Sequence, residues 1–106
     1  MTKYHIPKFV FERLLEAAKL PFHENGGTLS CRSVRHNLHK VSPYDFVTPC
    51  EDHELDRGEA WKEYTTYSKF KSTLLLACKK PNLYLHYTCK NSQVILHHEI
   101  NHLVAA

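Results

Sequence analysis

The sequence predicts an α+β domain with two N-terminal helices, a long middle helix and a C-terminal β-hairpin, followed in one reading by a short terminal helix. Three observations carry this expectation. Apolar residues recur three and four positions apart near the start of the chain, a capping-box sequence precedes a second and longer helical pattern, and a two-residue alternation runs through residues 82–89. A chain of 106 residues fits one small globular domain, residues 1–106, with a single core.

Pro7 suits the first turn of a helix, where its missing N–H costs nothing, and Phe9, Val10, Phe11, Leu14, Leu15 and Ala18 follow at helical spacing. The spacing places the first helix at residues 7–19, stopped by Leu20-Pro21. Residues 22–27 read as a loop built on Asn25-Gly26-Gly27. Thr28 or Ser30 then caps a second helix, with Cys31, Val34, Leu38 and Val41 along one side and Arg32, Ser33, Arg35, His36 and His39 around the rest. Ser42-Pro43 ends that helix and opens a short turn through Phe46.

The third helix starts from Asp56-Arg57-Gly58-Glu59, an acidic cap with glutamate in the third position after it. Trp61, Tyr64, Tyr67, Leu74, Leu75 and Cys78 continue the helical interval until Lys79-Lys80-Pro81. Strand is the alternative for residues 64–80, because Tyr64-Thr65-Thr66-Tyr67 and Leu74-Leu75-Leu76 also suit β-structure. Beyond Pro81, Leu83, Leu85, Tyr87 and Cys89 alternate with Tyr84, His86 and Thr88, which is the clearest strand pattern in the chain. Lys90-Asn91-Ser92 can turn the backbone, and Gln93-Val94-Ile95-Leu96 can return as the hairpin's second strand. From Leu96 to Val104 both periods fit, so strand and helix stay open there.

Composition narrows the setting. The longest apolar run, Leu74-Leu75-Leu76-Ala77-Cys78, falls far short of the roughly 20 residues of a membrane span, and the opening residues lack the apolar stretch of a secretory signal. The expected location is the cytoplasm, with no membrane partner and with Cys31, Cys50, Cys78 and Cys89 as reduced thiols. The formal charge of +3 conceals a segregation. From Asn25 to Tyr44 the charged residues are Arg32, Arg35 and Lys40, and from Tyr64 to His98 they are Lys69, Lys71, Lys79, Lys80 and Lys90. Carboxylates gather between them, in Glu51, Asp52, Glu54, Asp56, Glu59 and Glu63, which implies a basic face and an acidic edge.

His98-Glu99-Ile100-Asn101-His102 matches H-E-x-x-H. On a helix, histidines four apart project toward one zinc ion, and the adjacent glutamate can take a proton from zinc-bound water. His98, Glu99, Ile100, Asn101, His102, Leu103 and Val104 resemble the zinc helix of peptide deformylases, which have Asp at the position of Asn101. The resemblance implies His98 and His102 as ligands and Glu99 as the base of a zinc hydrolase. The Glu-Gly-Cys motif that supplies that family's third ligand has no counterpart here. A second set, His36, His39, Cys50 and His53, has the paired spacing of a structural zinc site. Cysteine nucleophiles lack any local signature, and Gly26-Gly27 is a turn rather than a phosphate loop.

The favoured reading is a non-enzymatic regulator or inhibitor without a cofactor, of the size met among phage and mobile-element products. It binds a protein or a nucleic acid through a basic, aromatic-bearing surface comprising Arg32, Arg35, His36, Lys40, Lys69, Lys71 and Lys90. Zinc hydrolysis is the enzymatic alternative. A winged helix is the other, with the helix from Ser30 in a DNA groove and the later hairpin as its wing.

Overall fold

The computed structural model describes residues 4–46 and 57–98. In chain order these form β1 (Tyr4–Pro7), α1 (Lys8–Ala17), β2 (Gly27–Ser30), α2 (Cys31–Leu38), a 3-10 turn (Pro43–Phe46), α3 (Arg57–Ala77), β3 (Tyr84–Lys90) and β4 (Gln93–His98). The strands join in one antiparallel sheet ordered β1-β4-β3-β2. The α+β class holds, but the hairpin is the centre of the sheet rather than a free pair. Both of its strands have an outer neighbour, so it does not project as a wing. Among the described residues, no helix is long and apolar enough to cross a membrane.

The two outer strands revise the sequence reading. Pro7 ends β1 and caps α1 instead of sitting in its first turn, a position that an edge strand tolerates. Gly27–Ser30, expected as loop and cap, pairs with β3 from Gly27↔Tyr87 to Ser30↔Tyr84. Gly26 makes that pairing sterically accessible. Its φ is +109°, and a β-carbon there would lie 2.7 Å from the Tyr87 carbonyl oxygen.

Helix ends follow local chemistry. The first N–H of α1 has no side-chain cap; Lys8 N–H donates instead to the Ser92 carbonyl at 2.9 Å, tying the helix to the hairpin. At the other end, Leu20 N–H donates to Leu15 O and Lys19 N–H to Glu16 O, with Lys19 at φ +59°. That is the paired bonding of a Schellman stop, which explains why the pattern ends before Pro21. Ser30 caps α2 as expected, its hydroxyl oxygen accepting from Ser33 N–H at 3.4 Å. Residues 64–77 are helical, so the strand alternative for this stretch is set aside. In the hairpin, Asn91 and Ser92 both take positive φ, 51° and 66°, as a two-residue turn between Lys90 and Gln93 requires.

All three helices lie on one face of the sheet. Ile6, Leu29, Leu85, Tyr87, Val94 and Leu96 point inward from the strands and are buried with Val10, Phe11, Leu14 and Leu15 of α1. Cys31, Val34 and Leu38 of α2 and Tyr67, Leu74 and Ala77 of α3 complete the core, and Phe46 stacks on Tyr67 at 4.2 Å. Tyr87 sits where these layers meet. Its ring centre is 4.9 Å from that of Phe11 and 6.1 Å from that of Phe22, and its hydroxyl oxygen accepts the His23 N–H at 2.9 Å.

Two stability predictions follow from this packing. Leu14 is fully buried and Phe9 is 61% exposed, so Leu14→Ala should cost about 2–5 kcal/mol in urea unfolding while Phe9→Ala stays near neutral. Burial raises the Tyr87 phenol above its ordinary value, the bond from His23 only partly opposing it. A raised acid contributes stability below its unfolded pKa of about 10 and loses it as pH climbs through the folded value. Thermal stability should therefore fall above about pH 10 in the wild type. Tyr87→Phe should flatten that loss while costing about 1 kcal/mol at neutral pH for the missing hydrogen bond.

Candidate functional site

The basic residues nominated from sequence divide into anchors and free ends. On α2, Arg32 is exposed, whereas Arg35 is half-buried and its Nη1 donates to the Cys78 carbonyl at 3.3 Å. That carbonyl follows the last turn of α3, where a cation also meets the negative end of the helix dipole. Lys71 on α3 is likewise half-buried and donates from Nζ to the Val41 carbonyl at 2.6 Å. Arg35 and Lys71 thus lock α2 and its exit to α3, leaving the outward charge to their neighbours. His36, Lys40, Lys69 and Lys90 are exposed, Lys69 with its ammonium 5.3 Å from the Phe70 ring centre.

Two further cations belong with this set. Lys79 and Lys80 are exposed in the α3–β3 turn, and the turn bonds back on itself through Leu83 N–H to Lys80 O. It also meets the start of α2, where Cys31 N–H donates to Leu83 O at 3.1 Å. Arg32 and the Lys79-Lys80 pair therefore share one end of the molecule. The pair was legible in the sequence as a charged dipeptide after a helix; its neighbour required the fold.

The metal readings fare differently. His98 is the last residue of β4 and its backbone pairs with Leu85, so the motif does not begin on a helix as H-E-x-x-H chemistry demands. Glu99 and His102 lie outside the described residues, as do Cys50 and His53 of the second set. His36 and His39 stand exposed on α2 and at its C-cap. Among the described residues, no group of three or more His, Cys, Asp or Glu side chains is placed to hold a metal ion.

A feature without a sequence signal is the face of the sheet turned away from the helices. Alternation sends His5, Thr28, Tyr84, His86, Thr88, Ile95 and His97 to that side, and each is exposed or half-buried. The register aligns His5, Ile95 and Thr88 in one row and His97, His86 and Thr28 in the next. The His86 and His97 ring centres are 5.4 Å apart, and Thr88 Oγ1 shares a 3.1 Å hydrogen bond with His97 Nε2. No carboxylate occurs among the described residues of this face. The acids collect elsewhere, with Glu12, Glu16 and Glu24 beside Leu20 and Phe22 around a shallow hollow at α1.

Cys31 and Cys78 form a contact between α2 and the end of α3. The Cys78 thiol donates to the Cys31 sulfur, which lowers the Cys31 pKa; burial opposes this and the Arg35 charge assists it. The same bond, reinforced by burial, pushes Cys78 well above the ordinary thiol range. With 2% and 0% exposure the two sulfurs face the core, not a substrate. Compared with protein-family models, curated proteins and solved structures, the chain shows no match. The burial makes a prediction for thiol chemistry: in native protein Cys31 and Cys78 should resist an aromatic disulfide reagent that labels half-buried Cys89 slowly, and all three should react in denaturant. Rapid native labelling of Cys31, located by peptide mapping, would contradict this packing.

Proposed function

We propose that this protein is a small regulatory binding protein whose basic half engages a nucleic acid. One observation carries the reading. The acid-free stretches 25–44 and 64–98 are remote in sequence yet packed together, through α2 on α3 and β2 on β3. The packed stretches thereby bring lysines and arginines together with no carboxylate of their own, whereas α1 and the following loop mix Glu12, Glu16 and Glu24 with Lys8, Arg13 and Lys19. A polyanion approaching the packed stretches meets attraction there, while the mixed charges of α1 and its loop give none, which both accelerates encounter and orients it. Phosphate contacts of this kind are made by Arg and Lys side chains whose outer ends are free, and Arg32, Lys40, Lys79 and Lys80 satisfy that requirement.

A protein partner is the second reading, and a separate observation favours it. Tyr44 and Trp61 are 71% and 64% exposed, and each ring packs on Tyr64, at 4.6 and 5.6 Å. Rigid aromatic side chains in such a row are effective interface anchors. A regulator that holds nucleic acid on its basic side and a protein on this aromatic side would combine both. The zinc-hydrolase alternative loses support from the strand conformation of His98.

Fluorescence anisotropy with labelled oligonucleotides across a salt series tests the first reading. Binding should weaken linearly on a logarithmic salt scale, and the slope should fall by about 0.7–0.9 for each phosphate contact removed in Arg32→Ala, Lys79→Ala or Lys80→Ala. Absence of binding to any oligonucleotide at low salt would eliminate it.

A further inference from the structure

We propose that the helix-free face of the sheet is a stacking platform for a single-stranded segment of nucleic acid. This rests on the reading above and specifies the form of the partner. The face offers flat rings in neighbouring positions: Tyr84 and His86 on β3, His97 on β4 and His5 on β1. His86 and His97 are held as a cross-strand pair, at 5.4 Å and an interplanar angle of 33°, and the Thr88 bond fixes the orientation of the His97 ring. Rings at this spacing present π-surfaces to bases that have left their own stack, and such contacts tolerate any base because every base has a π-face.

Charge completes the match. Lys90 marks the hairpin end of β3, and Arg32, Lys79 and Lys80 mark the opposite end, next to the Ser30↔Tyr84 pair. A backbone of phosphates lying along β3 would meet cations at both ends and no described carboxylate between them. Residues 84–90 extend about 20 Å at the rise of a strand, enough for a short run of nucleotides.

Geometry argues against a duplex on this surface. Four strands with gaps of about 4.8 Å make a sheet about 14 Å across, wider than the roughly 12 Å major groove. A duplex also hides the base faces that rings would contact. A protein partner fits this face poorly, because Pro7 and Ile95 are the aliphatic side chains among its described residues and an interface core needs contiguous apolar area.

The test compares labelled oligouridine, oligothymidine and a duplex of equal length by anisotropy at low salt, using the full chain. The platform requires both single strands, or one of them, to bind more tightly than the duplex. Tyr84→Ala and His86→Ala should each weaken single-strand binding about fivefold or more, and Tyr84→Phe, which keeps the ring, should retain it. Unfolding curves for each variant separate this loss from misfolding, and the Phe variant reads stacking even where an Ala variant is unstable. Equal binding of duplex and single strand, with no effect of folded Tyr84→Ala and His86→Ala, would overturn the platform while leaving the basic-half reading in place. No binding by the wild-type chain would overturn both.

Discussion

The fold turns on one buried tyrosine. Tyr87 stands in the middle of β3, and two otherwise separate parts of the chain meet on it: α1 through Phe11, and the loop through Phe22 and the backbone N–H of His23. Ring packing alone would leave the phenol oxygen unsatisfied in an apolar interior, an expensive arrangement. The His23 donation removes that cost and at the same moment fixes where the loop enters β2. Gly26 then brings the backbone against the Tyr87 carbonyl, closer than any side chain permits. The second edge of the sheet, and so the width of its outer face, depends on this small set of contacts.

From that frame follows a molecule of unlike sides. The helices cover one face of the sheet, and two inward-reaching cations, Arg35 and Lys71, join α2 and its exit to α3 through backbone carbonyls. Because these bonds go to carbonyl oxygens and not to carboxylates, the helices are tied together without neutralising the basic half. The ion pair of Lys8 with Glu24 at 3.7 Å involves none of the lysines and arginines of the acid-free stretches, and its carboxylate side is exposed enough that its contribution is small. The exposed cations Arg32, Lys40, Lys79 and Lys80 are therefore left available to long-range fields.

Much of this was legible in the residues. The helical spacing of Val10, Phe11, Leu14 and Leu15, the Ser30 cap, the turn from Pro43 and the alternation from Leu83 to Cys89 each reflect local rules that tertiary structure did not override. The strands β1 and β2 were not, because four residues give too few repeats for a period to show, and Pro7 and Gly27 carry stronger local meanings as helix starter and turn residue. The candidate site divides the same way. Basic stretches are countable in a sequence, but the sheet's outer face exists only once β4 lies between β1 and β3 and the helices have all chosen the other side. Tyr84, His86 and His97 could be assigned to alternate positions on their strands; nothing local says that the described helices all pack on the other side.

The strand order also has a consequence for how the chain acquires its shape. Tyr4 pairs with Leu96 and Pro7 with Gln93, so the first strand is held by the last described one. During synthesis α1 can form early, but its apolar stripe has no completed sheet to rest on until residues 93–98 have been made. Lys8 N–H, bonded to Ser92 O in the finished fold, waits for the same event. Closure is thus a late, long-range step of the kind that slows folding and prolongs exposure of apolar surface. The clasp between β1 and β4 makes completion of the sheet face wait for residues 93–98, so that a partially made chain lacks that face.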